Sequence, residues 1–375
     1  MNQMSQAEFF FQQGLEHHQA LEYEQAIASF DKAIEIQADF AAAWNERGWN
    51  LFLLNSEETA TAALASFDKA IEIEPNNFLA WYRRGELQSE RLSDPEGSLL
   101  SFNQALEIEP ENYQAWWDKS FALYQLGRYD EAIASYDKTL EINPLGYLAW
   151  HERGNLLLAM DRYSESLQSY DKVLEINPDD DMSWADRANV LEQLERYDEA
   201  IYSYDKALEI KPDSGEIWSA RGKIFEKLGD LTAAFTSHEK AFQCRYESPY
   251  GWYEWAEVLI NFGQIEAAIT ICEQAITILS DKFAAWQNRS IILHELGRYE
   301  EAIASYQQVL KLQPEDADTF YNIACCYALQ SNVEQSIQNL QQAITLNPEI
   351  YIEAVKIDPD FENIRNSKQF QTLIM

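Results

Sequence analysis

Small and apolar residues recur along this chain at helical spacing, in blocks that repeat. Within residues 113–146, Trp116, Ser120 and Leu123 share one helical face, and Ala132, Tyr136 and Thr139 share a second. Gly127 separates the two stretches and Pro144 follows the second. Glycine ends a helix by accepting a left-handed conformation, and proline cannot continue the hydrogen-bond ladder. The block therefore predicts a pair of amphipathic helices. The stretch Leu126 to Lys138 returns almost unchanged at Leu194 to Lys206 and at Leu296 to Gln308. Trp116, Trp150, Trp184, Trp218, Trp252, Trp286 and Phe320 stand 34 residues apart. Upstream, Phe10, Trp44 and Trp81 extend the series, with spacings of 34, 37 and 35 residues up to Trp116.

Four residues after each of these aromatics the position is always small: Gly14, Gly48, Gly85, Ser120, Gly154, Ala188, Gly222, Ala256, Ser290 and Ala324. A second small position opens the other helix: Ala26, Ala63, Ser98, Ala132, Ser166, Ala200, Ala234, Ala268, Ala302 and Ser336. Small residues where two helices touch let their backbones approach, while the aromatic fills the volume beside them. One such pair cannot bury its apolar face alone, so neighbours must stack.

The order aromatic, small, alanine, aromatic, alanine, proline resembles the tetratricopeptide repeat (TPR). The resemblance implies an all-α fold, a right-handed superhelical solenoid of antiparallel helix pairs whose first helices line the concave side. Ten repeats are expected over 7–350: 7–40, 41–77, 78–112, 113–146, 147–180, 181–214, 215–248, 249–282, 283–316 and 317–350. Residues 351–375 do not restart the motif and are expected to supply one capping helix, from Ser367 to Ile374. Extra residues in the second repeat (55–61) and third repeat (92–97) are expected to lengthen loops between helices. The seventh and eighth repeats are the least regular. His238 and Cys272 replace the second-helix aromatic, and Tyr246 and Ser280 replace the closing proline. A weaker joint there is one expectation and ordinary drift the other.

Composition narrows the function. The chain has 63 acidic against 28 basic residues, a formal charge of −35, which repels phosphate backbones and argues against nucleic acid as a partner. Four cysteines without Cys-x-x-Cys spacing suggest a reduced cytoplasmic protein. No run of about 18–20 apolar residues is present, so no membrane span is expected. Nucleotide-binding loops, His-Glu-x-x-His and Gly-x-Ser-x-Gly are absent, and the five histidines are scattered. No catalytic residue, cofactor or metal site is therefore expected.

Specificity should lie on the first helices, one, five and eight residues after the aromatic. Trp117, Phe121 and Tyr124 share one helix face at i, i+4 and i+7. Tyr82, Trp49, Phe52 and Phe11 extend an apolar groove over the first four repeats. Beyond it the positions turn polar: Asn155 and Asn189 could pair with a peptide backbone, and Lys223 and Lys227 could receive a carboxylate, with Tyr253 following. TPR proteins that clamp a chaperone's C-terminal carboxylate carry a lysine at a position that here reads Phe11, Asn45, Tyr82, Trp117, His151, Ala185, Ser219, Tyr253, Gln287 and Tyr321. No lysine occurs, so a chaperone co-factor is disfavoured. The expected function is a non-catalytic scaffold that binds a protein or peptide segment. The alternatives are a recognition subunit of a larger enzyme or secretion assembly, and a homo-oligomerising module.

Overall fold

A computed structural model of the chain describes residues 3–54, 56–245, 248–279 and 282–373. Asn55, Tyr246 and Ser280 lie outside the described residues. The chain divides into two compact units, residues 1–203 and 204–375. Among the described residues every regular element is helical.

The first unit contains the helix pairs α1 (Gln3–Gln19) and α2 (Tyr23–Ile36), α3 (Ala41–Leu53) and α4 (Glu57–Ile73), and α5 (Phe78–Glu90) and α6 (Pro95–Ile108). It continues with α7 (Tyr113–Gln125) and α8 (Tyr129–Ile142), α9 (Tyr147–Ala159) and α10 (Tyr163–Ile176), and α11 (Asp181–Gln193). The division falls within α12 (Tyr197–Ile210). The second unit holds α13 (Gly215–Leu228) and α14 (Leu231–Cys244), α15 (Pro249–Asn261) and α16 (Ile265–Ile278), and α17 (Lys282–Glu295) and α18 (Tyr299–Leu312). α19 (Ala317–Leu329), α20 (Val333–Leu346), α21 (Pro348–Ile357), a 3-10 turn (Pro359–Phe361) and α22 (Lys368–Leu373) complete it.

The small positions do what their size suggests. A Cβ added at Gly14, Gly48 or Gly85 would stand 2.5, 2.8 or 2.7 Å from the ring of Phe30, Phe67 or Phe102, each fully buried on the second helix of its pair. Where the second small residue is serine it also makes a bond across the pair. Ser98 donates to the Gly85 carbonyl at 3.0 Å, Ser166 to Gly154 at 2.8 Å and Ser336 to Ala324 at 2.8 Å. Among the described residues, most turns inside the pairs contain one left-handed residue. Gly127, Gly229, Gly263 and Gly297 supply it, while Leu21, Asp161, Glu195 and Ser331 adopt φ of 57–61° in the same place.

Stacking between pairs uses a charged ladder. Arg47, Arg84, Arg153, Arg187 and Arg221 each reach back to the aspartate 16 residues earlier, on the preceding pair: Asp31, Asp68, Asp137, Asp171 and Asp205, at 2.6–2.7 Å. A second guanidinium nitrogen donates to a serine of the following helix at 2.7 Å: Ser66, Ser101, Ser169, Ser203 and Ser237. Each guanidinium also lies over the first-helix tryptophan of its own pair at 5.6–5.9 Å. The indole N–H of Trp81, Trp116, Trp150, Trp184 and Trp218 in turn donates to the carbonyl of the proline six residues before it. At the irregular eighth repeat the arginine slot holds Trp255, which stacks on Phe242 at 5.7 Å and meets Phe235 at 5.1 Å.

Two local expectations need correction. The extra residues of the second repeat do not make a longer loop. They lengthen α4 to 17 residues, against 14 in α6 and α8, because Ser56 and Thr59 form a reciprocal capping box that starts the helix early. Residues after 350 were expected to give one helix, but α21 runs on from Pro348 before the 3-10 turn and α22. Pro348 opens that helix at its first position, where a missing N–H costs nothing.

Candidate functional site

The first-helix face of the first unit is uneven, and burial separates its open part from its covered part. Phe52 is buried, and Trp49 stacks on it at 5.0 Å. Arg83 of α5 lies over Trp49 at 4.8 Å and Arg91, just past the end of α5, over Phe52 at 5.0 Å, so arginines of the next pair roof both rings. Phe11 is half-buried between Phe30 and Phe40. Phe52 is thus core rather than groove surface, a correction: i, i+4, i+7 spacing names a helix face without saying what covers it.

The open stretch centres on α7. Phe121 is 48% exposed and Tyr124 50% exposed, while Trp117 is half-buried against Tyr136 at 5.6 Å. A cavity flanks each end of this face. One, of about 390 Å³, is lined by Tyr82, Trp117, Asp118, Leu145, Tyr147 and Leu148. The other, of about 270 Å³, is lined by Phe121, Tyr124, Tyr136, Glu152, Asn155 and Leu156.

One carboxylate, Asp118, lines the first cavity, and Glu86 and Glu90 interact with it and with each other nearby. The Tyr82 hydroxyl donates to Asp118 Oδ2 at 2.6 Å. Burial pushes the Asp118 carboxyl up to about 6, against the Tyr82 bond and with help from Glu90. Glu86 is pushed up to about 7, first by burial and then by Asp118 and Glu90. Arg83 offsets this in part, but it is itself paired with Glu46 at 2.7 Å. The site is short of positive charge.

The polar positions are engaged within the chain. Asn155 accepts from the Tyr170 hydroxyl at 2.6 Å and meets His151 Nδ1 at 3.2 Å, so one bond at each end of its amide is made within the chain. His151 Nε2 lies 3.1 Å from Asp186. The bond to Asp186, then that to Glu152, raises the imidazole to about 9. Asn189 is exposed on α11. In the second unit Lys223 and Lys227 are exposed on α13, and the Tyr253 hydroxyl donates to Glu257 at 2.9 Å. Lys223 edges a cavity of about 280 Å³ with Glu226, His238, Arg245 and Glu254. There His238 replaces the usual ring and faces Gly222, and its Nε2 lies 3.1 Å from Glu226.

The His151 network predicts a pH-dependent stability. A folded-state value above the ordinary ~6.5 means the contribution is complete below about pH 6.5 and is lost as pH rises through about 9. His151→Gln should cost on the order of 2 kcal/mol at pH 6. The gap to wild type in urea should narrow by pH 9.5. A gap independent of pH removes the charged His151–Asp186 pair from the account.

Tetratricopeptide repeat family models match residues 11–78 and 90–147, 66–98 and 169–202, 147–180, and 317–350, and a TPR repeat model matches 188–229 and 292–331. The chain belongs to the tetratricopeptide repeat family. Every matching family model is a repeat of this kind, and TPR modules bind proteins. No curated protein matches the chain. Among solved structures, the C-terminal part of a TPR repeat-containing protein from Cytophaga hutchinsonii is 15% identical, over 67% of this chain and 98% of its own, with a TM-score of 0.56. It shares the TPR fold. MamA from Desulfovibrio magneticus RS-1 is 20% identical over 45% of this chain and 95% of its own, at a TM-score of 0.42. YrrB, described as a TPR protein with an unusual peptide-binding site, is 25% identical over 50% of this chain and 98% of its own, at a TM-score of 0.35. No helix among the described residues of this TPR chain is long and apolar enough to cross a membrane.

Proposed function

We propose that this TPR chain is a non-catalytic scaffold whose first-helix face around α5, α7 and α9 holds a segment of another protein. The segment carries an aromatic or aliphatic anchor next to a basic residue. The observation that carries this reading is the pairing, in one place, of exposed aromatics flanked by two cavities with partly buried carboxyls that Arg83, already paired with Glu46, offsets only in part. Exposed aromatic clusters are what interfaces use as anchors. Burial first, and neighbouring carboxylates second, raise both carboxyls; a lysine or arginine docked at Asp118 and Glu86 stabilises their charged forms, so charge selects the partner as well as shape.

The test is selection from a random peptide display library on the immobilised full chain. Enriched peptides are expected to pair an aromatic or large aliphatic residue with lysine or arginine, and to weaken as salt rises. A parallel selection on Asp118→Asn/Glu86→Gln should keep the anchor and lose the basic residue. Enrichment of acidic peptides, or no enrichment at all, contradicts the reading.

A further inference from the structure

The second unit brings together donors that are far apart in sequence. Cys325 lies on α19 and is 2% exposed. Asp358 and Asp360 bracket the start of the 3-10 turn, and the Cys325 sulfur and one oxygen of each aspartate all lie within 4.8 Å of one another. From a third segment, α17, His294 Nε2 stands 3.4 Å from Asp360 Oδ2. We propose that these residues form a binding site for one divalent ion of the zinc class.

The donor set decides the class. Thiolate sulfur and imidazole nitrogen with carboxylate oxygens suit zinc, whereas magnesium and calcium take oxygen alone. Bonds of about 2.0–2.3 Å in a tetrahedral shell put ligand atoms roughly 3.3–3.8 Å apart. The Cys325 sulfur already stands 3.9 Å from Asp358 Oδ2, and the other pairs have at most about 1.5 Å to close.

The neighbours act as outer support. Asp358 Oδ1 accepts the Asp360 backbone N–H at 3.0 Å, which fixes the two carboxylates relative to each other. The Tyr321 hydroxyl donates to Asp358 Oδ2 at 2.7 Å, and a carboxylate oxygen keeps a second lone pair for an ion. Tyr351, Phe361 and Phe370, all buried, make the surrounding wall apolar. Arg365, the base on the same segment, donates to the Lys356 and Asp358 backbone carbonyls. Among the described residues the recorded ion-pair partner of this acidic pair is His294.

On binding, the Cys325 thiol releases its proton to solvent, and the ion takes the thiolate and both carboxylates. His294 then turns its neutral Nε2 from Asp360 to the ion. The shell carries −3 against the ion's +2, and the segment after α21 becomes fastened to α19 and α17.

The experiment is titration of the chelator-treated full chain with Co²⁺, read by near-ultraviolet sulfur-to-cobalt absorption and by bound metal after gel filtration. One equivalent with the charge-transfer band is expected, displaced by Zn²⁺. Cys325→Ser should abolish the band, Asp360→Asn should weaken binding at least tenfold, and Cys272→Ser, at a buried thiol elsewhere, should change neither. A missing band, or a band that survives Cys325→Ser, overturns the proposal. If Cys325→Ser loses helicity, Asp360→Asn decides, since that side chain is 29% exposed, and unchanged Co²⁺ affinity then overturns it.

Discussion

A Phe102→Ala chain is expected to lose about 3–5 kcal/mol of stability in the first unit. Phe102 is fully buried on α6 and fills the space opened by Gly85 on α5, where a single added Cβ would stand 2.7 Å from its ring. Removing the ring strips its apolar contacts and leaves a cavity that the Ser98–Gly85 bond, at 3.0 Å, hinders from closing. The ring also supports Tyr82 at 5.8 Å, so the loss should reach the first cavity. Hydrogen exchange is the suitable readout, because repeat arrays need not unfold in one step. Protection should fall most in α5 and α6 and in the neighbouring α7. The reciprocal change, Gly85→Ala, overpacks the same contact and should cost about 1–3 kcal/mol. A loss below about 1 kcal/mol for Phe102→Ala would mean that this ring is not what holds the pair together.

The second large effect is on binding. For a peptide selected on the full chain, Trp117→Ala with Tyr124→Ala should weaken affinity roughly 10–100-fold, about 1.5–3 kcal/mol, with helicity retained. Tyr124 is half exposed, so its removal costs the fold little, and Tyr136 behind Trp117 remains to close the core. The pH profile gives an independent check. Burial, with repulsion from Asp118 and Glu90 at Glu86 and from Glu90 at Asp118, holds Glu86 up to about 7 and Asp118 up to about 6, so a docked cation must displace protons from them. Affinity for a basic peptide should therefore rise from pH 5.5 to pH 8, and Asp118→Asn/Glu86→Gln should flatten that slope. Undiminished affinity in the aromatic double variant would remove α7 from the site.

The fold was legible because its signal repeats. Aromatics at 34-residue spacing, with small residues four positions on, specify helix pairs without knowledge of any contact. The arginine ladder was equally periodic, with Arg47, Arg84, Arg153, Arg187 and Arg221 each three residues after the tryptophan. A periodic arginine does not by itself say whether it stays in solvent or reaches across to the neighbouring pair. The second repeat's insertion was misassigned because sequence length does not say whether added residues join the loop or the helix. The Ser56–Thr59 box settles that in favour of the helix. For the binding face, spacing identified the side on which Trp49, Phe52, Trp117 and Phe121 lie. It did not show that Arg83 and Arg91 cover the first two and leave the last exposed. The cluster of Cys325, Asp358, Asp360 and His294 has no local pattern, since its members meet only when the tail packs back on α19.

The most direct test of the binding face is site-specific photocrosslinking with a selected peptide. A benzophenone side chain is placed at Phe121 in one chain and at Tyr202, exposed on α12, in another. The account predicts a strong peptide adduct from position 121, suppressed by excess unlabelled peptide, and none from position 202. Equal labelling at both positions, or labelling at 202 alone, would place the partner on the second-helix face and contradict the account.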